Sequence, residues 1–264
     1  PLAECITLMQ SMKVSYQYED YYRLLMEEAD MGKLEQAIIE GNRLKEAKLR
    51  YEDNGCDEDL VAITLQKVAA TMDVKAADYK DLKKAITKAL KFQIGEDGER
   101  SAAAYLDEFQ LAEKLLMIAQ RKHIGDTKTE TDLMKTDVAK FFEHFFAFAY
   151  AILPDWQYSD VKFYEDFVYA VLSQFSDLYE QEQMRIQMDV ADLYIKHGDS
   201  IHGDEMYGYI LRDNQIKDYI YYRYASVYKD IDYNKAKAIA YSALQYVDER
   251  FTYHANIMEL IHNE

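Results

Sequence analysis

Apolar residues recur at helical spacing along nearly the whole chain, and strand-like alternation is scarce. Breakers divide this pattern at Gly32, Asp53-Asn54-Gly55, Gly95 with Gly98, Gly125, Pro154, Gly198 with Gly203, and Asp213-Asn214. Between them the spacing predicts about twelve helices of ordinary length joined by short turns. Residues 126–132, DTKTETD, read as an exposed loop whose Thr and Asp residues cap the helix that follows. Pro154-Asp155-Trp156 reads as a boundary at which the proline stops a helix and the indole plugs the junction. Short helices with short connections predict an all-α chain of antiparallel helix hairpins packed one after another. Residues 1–264 are expected to form a single helical domain, with a possible subdivision into an irregular part, 1–153, and a more regular part, 154–264.

Internal repetition strengthens this reading. Residues 184–214, MRIQMDVADLYIKHGDSIHGDEMYGYILRDN, align with 218–248, DYIYYRYASVYKDIDYNKAKAIAYSALQYVD. Ala191 falls on Ala225, Tyr194 on Tyr228, Tyr207 on Tyr241 and Ile210 on Leu244, each at an offset of 34 residues. A small residue lets two helices approach closely, and rings wedge between neighbouring pairs. In small position, aromatic position and period the two segments resemble the tetratricopeptide repeat. Gly198 occupies the turn glycine, and Tyr233 and Ala236 fit the turn if one residue is shifted. Gly32, Leu34 and Ala37 form a weaker copy. The helix-ending proline is missing from every copy, the stretch 58–182 does not hold the period, and the resemblance covers about a quarter of the chain.

The resemblance implies a right-handed solenoid with a concave groove. It places Arg185, Met188, Asp192, Ile195 and Lys196 of one repeat, and Tyr219, Tyr222, Ser226 and Lys229 of the next, on the groove face. Tyr, Met and Arg are the residue types that anchor protein interfaces. The function this implies is non-catalytic: a scaffold or adaptor that binds a protein or peptide.

Composition narrows the partners. Gly is 9 and Pro 2, too few for sandwiches, barrels or doubly wound sheets. Tyr is 24, enough to line many helix faces with phenol rings. The net charge of −17 disfavours nucleic acid and anionic membranes and favours basic or apolar partners. No stretch approaches the ~18 apolar residues of a membrane span, and the N-terminus lacks a signal-peptide pattern. Cys5 and Cys56 lack metal or redox spacing and read as reduced thiols of a cytoplasmic protein.

Three stretches offer competing chemistry. HGDSIHGDE, residues 197–205, reads first as a turn: Gly198 ends one helix and Asp199 or Ser200 caps the next. Its alternative is a metal site of His197, Asp199, His202 and Asp204, which would support a metal-dependent hydrolase. FFEHFFAFAY, residues 141–150, reads as a core helix, with a pocket for a small apolar or nucleotide ligand as its alternative. EDNGCDED, residues 52–59, lacks the calcium-loop spacing and reads as a solvated turn. No nucleotide-binding, hydrolase-elbow or zinc-protease motif occurs, and no cofactor is expected.

Overall fold

A computed structural model of the protein describes residues 1–44, 60–95 and 98–262. Cys56 and the acidic stretch 52–59 lie outside the described residues. Fourteen α-helices and no strand occur among the described residues. They are Leu2–Ser11 (α1), Tyr18–Glu27 (α2), Met31–Gly41 (α3), Leu60–Ala69 (α4), Tyr79–Ala89 (α5), Gly98–Lys122 (α6) and Thr127–Met134 (α7), followed by Val138–Ile152 (α8), Tyr158–Gln174 (α9), Ser176–Lys196 (α10), Ser200–Asp213 (α11), Asp218–Tyr228 (α12), Tyr233–Ala243 (α13) and His254–His262 (α14). None is long and apolar enough to cross a membrane.

Aspartates start many of these helices. Asp30, Asp126, Asp137, Asp199 and Asp232 each accept from a backbone N–H of the first turn, satisfying donors that the helix itself leaves unpaired. Residues 126–132 are therefore not the expected loop. They form most of α7, capped by Asp126, and Thr127 donates through both its backbone N–H and its hydroxyl to Asp177 at the start of α10. The polar composition misleads because α7 packs on α5 and α8 and buries Thr127, Glu130 and Met134. At Pro154 a 3₁₀ turn ends α8, and the Trp156 ring meets Tyr105 edge-on at 5.2 Å.

The apolar core falls into two clusters. The larger draws on α1 to α10 and is centred on α8, whose Phe141, Phe142, Phe145, Phe146 and Phe148 are fully buried. The smaller joins α10 to α14. Helix α10 serves both: Ile186, Val190, Leu193 and Tyr194 enter the first, Met188, Ala191 and Ile195 the second. The clusters thus meet within α10, downstream of residues 153–154.

The residues aligned at the 34-residue offset share their burial in α10 and α12 but not in α11 and α13. Ala191 and Ala225 are both fully buried, and Tyr194 and Tyr228 nearly so, at the 34-residue offset. Tyr241 and Leu244, aligned with buried Tyr207 and Ile210, are instead 56% and 40% exposed. The capping aspartates explain the difference. Asp199 and Asp232 are 33 residues apart, and each fixes where its helix begins. Counted from the caps, Gly203, Tyr207 and Ile210 correspond to Ala236, Ala240 and Ala243, all buried.

Gly203 marks the closest approach of α10 and α11. A Cβ there would lie 2.5 Å from Ile195 Cγ1 and 2.8 Å from the Ala191 carbonyl oxygen. Backbone cannot yield as a flexible side chain can. Gly203→Ala is expected to cost about 1–3 kcal/mol despite its gain in helix propensity. Gly208→Ala on the same helix, where a Cβ meets nothing within 4 Å, should be neutral or stabilising. Urea unfolding of the two variants makes the comparison; equal midpoints would contradict the close approach.

Candidate binding surface

The expected groove residues divide into three groups. Met188 and Ile195 are buried in the smaller core cluster and are not on an accessible face. Asp192 is also buried, and with Asp189 it forms the centre of an ionic network. Arg185, Tyr219, Tyr222 and Ser226 are half-buried, while Lys196 and Lys229 are exposed. Three of the nine are therefore corrected from groove to interior. The cause is that α11 and α12, with α8 at Asp192, pack against α10 and cover the face that carries them.

The network ties α8, α10, α11 and α12 together. Arg223 donates from Nε to Asp192 Oδ2 at 2.9 Å and from Nη2 to the same oxygen at 2.7 Å, and also pairs with Asp189. Arg185 reaches Asp189 at 3.3 Å and Glu182 at 2.5 Å. Tyr150 donates to Asp192 Oδ2 at 3.0 Å, and Tyr207 donates to Oδ1. Burial raises the Asp189 carboxyl, with Arg223 and Arg185 opposing it. Burial lowers the Arg223 guanidinium, but Asp192 and Asp189 outweigh that and the net shift is upward. Arg223 and Asp189 are 34 residues apart, so the same repeat position carries opposite charges that pair. That complementarity was available in the aligned sequence, whereas the arrival of Tyr150 from α8 was not.

The residues of HGDSIHGDE point to separate partners. Gly198 has φ +85°, the left-handed conformation that ends α10. Asp199 caps α11 through His202 N at 3.2 Å and accepts from the Tyr158 hydroxyl. His197 Nε2 lies 2.7 Å from the Leu153 carbonyl oxygen, and the His202 ring lies 4.2 Å from Tyr194. Asp204 accepts from Tyr224 at 2.8 Å and Tyr228 at 2.7 Å, and pairs with Lys235. The four do not converge, and no group of three or more His, Cys, Asp or Glu able to hold a metal occurs among the described residues.

The accessible remainder is an aromatic patch. Tyr253, in the turn before α14, lies 4.9 Å from Tyr219 and 5.3 Å from Tyr222, the latter pair stacked at 21°. The Tyr253 N–H donates to Asp218 Oδ2 at 3.1 Å, which anchors this turn to the start of α12. The Ser226 hydroxyl donates to the Tyr222 carbonyl and so faces its own helix. Sequence reasoning missed Tyr253 because it lies outside both repeat segments.

Several concave features lie elsewhere among the described residues. A cleft of about 1240 Å³ includes Tyr22, Glu27, Glu113 and Arg121 in its lining, a mixture of charges with no orphaned buried polar group. A smaller cavity between α5 and α6 is lined by Glu108. The phenylalanines of α8 form core rather than a pocket wall.

No family model matches the chain, and neither curated proteins nor solved structures contain a significant match.

Proposed function

We propose that the protein is a non-catalytic scaffold, a right-handed stack of antiparallel helix hairpins similar to tetratricopeptide repeats, acting in the cytoplasm. Its Tyr219–Tyr222–Tyr253 patch holds a basic or apolar segment of a partner protein. One observation carries the reading. Tyr150, Tyr158, Tyr228, Tyr233 and Tyr246 each have a lysine or arginine over the ring. The three patch rings have no such cation among the described residues, although they are packed together and partly open to solvent. A partner's arginine or lysine over these rings would gain about 0.5–2 kcal/mol, and the net charge of −17 would draw it in.

The hairpin part of the proposal is supported by packing. Helix α10 packs on α11 and α12 on α13, while α10, α12 and α14 contact in succession. Matched caps at Asp199 and Asp232 fit the same arrangement.

Affinity capture from host lysate, comparing wild type with Tyr219→Ser/Tyr222→Ser, tests the binding role. A partner retained by wild type and lost by the folded double variant is expected, a loss of about 2 kcal/mol or more in affinity for hot-spot tyrosines. Circular dichroism checks folding. Equal retention by both proteins would remove the patch from the interface. Met188 is unsuitable for this test, since its replacement would unfold the core.

A further inference from the structure

The cavity between α5 and α6, about 450 Å³, has a floor that includes Leu82, Ala85, Ala89 and Leu111. This volume lies in the range of small-molecule sites. Lys88, Lys91 and Lys114 also line it, and none pairs with a carboxylate among the described residues. They extend a lysine-rich face that includes Lys80, Lys83 and Lys84. On a chain of net charge −17 this is a local reversal of sign.

Glu108 borders the cavity but turns its carboxyl inward: it is 3% exposed, and its Oε1 lies 3.3 Å from His144 Nε2 on α8. Burial pushes the Glu108 carboxyl up to about 8 and lowers the His144 imidazolium.

We infer that this cavity binds a soluble anionic amphiphile. Its apolar body lies between α5 and α6, and its anionic headgroup meets Lys88, Lys91 and Lys114. The site is separate from the tyrosine patch and does not depend on it.

Fluorescence titration with monomeric dansyl-undecanoate tests the proposal. Its carboxylate can meet the lysines, and its apolar chain can lie along Leu82, Ala85 and Leu111. Saturable one-to-one binding is expected, displaced by decanoate but poorly by decanol. Lys88→Glu/Lys91→Glu/Lys114→Glu should weaken it by about tenfold, the sum of three screened ion pairs. Ala85→Trp, which fills the cavity, should abolish it. Tyr222→Ser should leave it unchanged. If Ala85→Trp fails to fold, the lysine variant, altered only at the surface, still decides. Absence of saturable binding, or equal affinity in wild type and the lysine variant, would overturn the assignment. So would binding only to phosphatidylglycerol vesicles in cosedimentation, which would assign the lysine face to a lipid surface instead.

Discussion

Replacing Arg223 with leucine is expected to remove about 3–5 kcal/mol of stability, among the largest single losses the chain can suffer. Arg223 pairs with Asp189 and Asp192, whose side chains are 4% and 1% exposed. Without it the two carboxylates remain buried close together, and only Arg185, Tyr150 and Tyr207 are left to hold them. The cost is that of stranding charges, not the worth of the ion pairs, because desolvation cancels much of an intact pair's attraction. Adding Asp189→Asn and Asp192→Asn to Arg223→Leu should accordingly recover a large part of the loss. Urea unfolding at neutral pH reads both steps. A deficit below about 1 kcal/mol for Arg223→Leu would mean that the hydroxyls and Arg185 hold the aspartates unaided.

The second large effect is a pH dependence centred on Glu130. This residue of α7 is fully buried and its oxygens have no partner. Burial pushes its carboxyl up to about 8 from an ordinary value of 4.5. The unfolded chain loses this proton near pH 4.5, whereas the folded chain keeps it until about pH 8. Between those values the folded state binds more protons, so stability falls as pH rises. Glu108, raised to about 8 by burial as well, acts in the same direction. Glu130→Gln should therefore be close to wild type at pH 5 and more stable at pH 8, by on the order of 2–5 kcal/mol. Denaturation at pH 5, 6.5 and 8 measures the gap. Parallel pH curves for the two proteins would mean that Glu130 finds a partner or water and titrates normally.

Helical class and several helix ends could be read from the sequence because they depend on local signals, although the expected breakers Gly32 and Gly203 lie inside α3 and α11. Apolar spacing, Gly198 and the capping aspartates act within a turn or two of where they occur. The same is true of Pro154 and Trp156. Failures came where distant packing decides. Residues 126–132 look like a loop but fold as α7 because α5 and α8 cover Thr127 and Glu130. Met188, Asp192 and Ile195 have the phase of a groove face, yet α8, α11 and α12 bury them, and no local pattern announces that. The 34-residue alignment agrees with burial in α10 and α12 but not at Tyr241 and Leu244, because Asp232 starts α13 one residue earlier than that period requires. Of the candidate site, Tyr219 and Tyr222 were within reach of sequence reasoning. Their meeting with Tyr253 depends on how α14 returns onto α12.

Site-specific photo-crosslinking measures the central claim most directly. A photoreactive phenylalanine analogue is placed at Tyr222, at Tyr253, and at Ile201, an exposed apolar position on α11 that serves as control. Irradiation in the host cell is followed by mass spectrometry of the crosslinked products. The scaffold account predicts one shared partner at positions 222 and 253, joined through a lysine- or arginine-containing or apolar segment, and no such product at 201. Products at 201 but not at 222 or 253 would contradict it, as would an unselective mixture at all three.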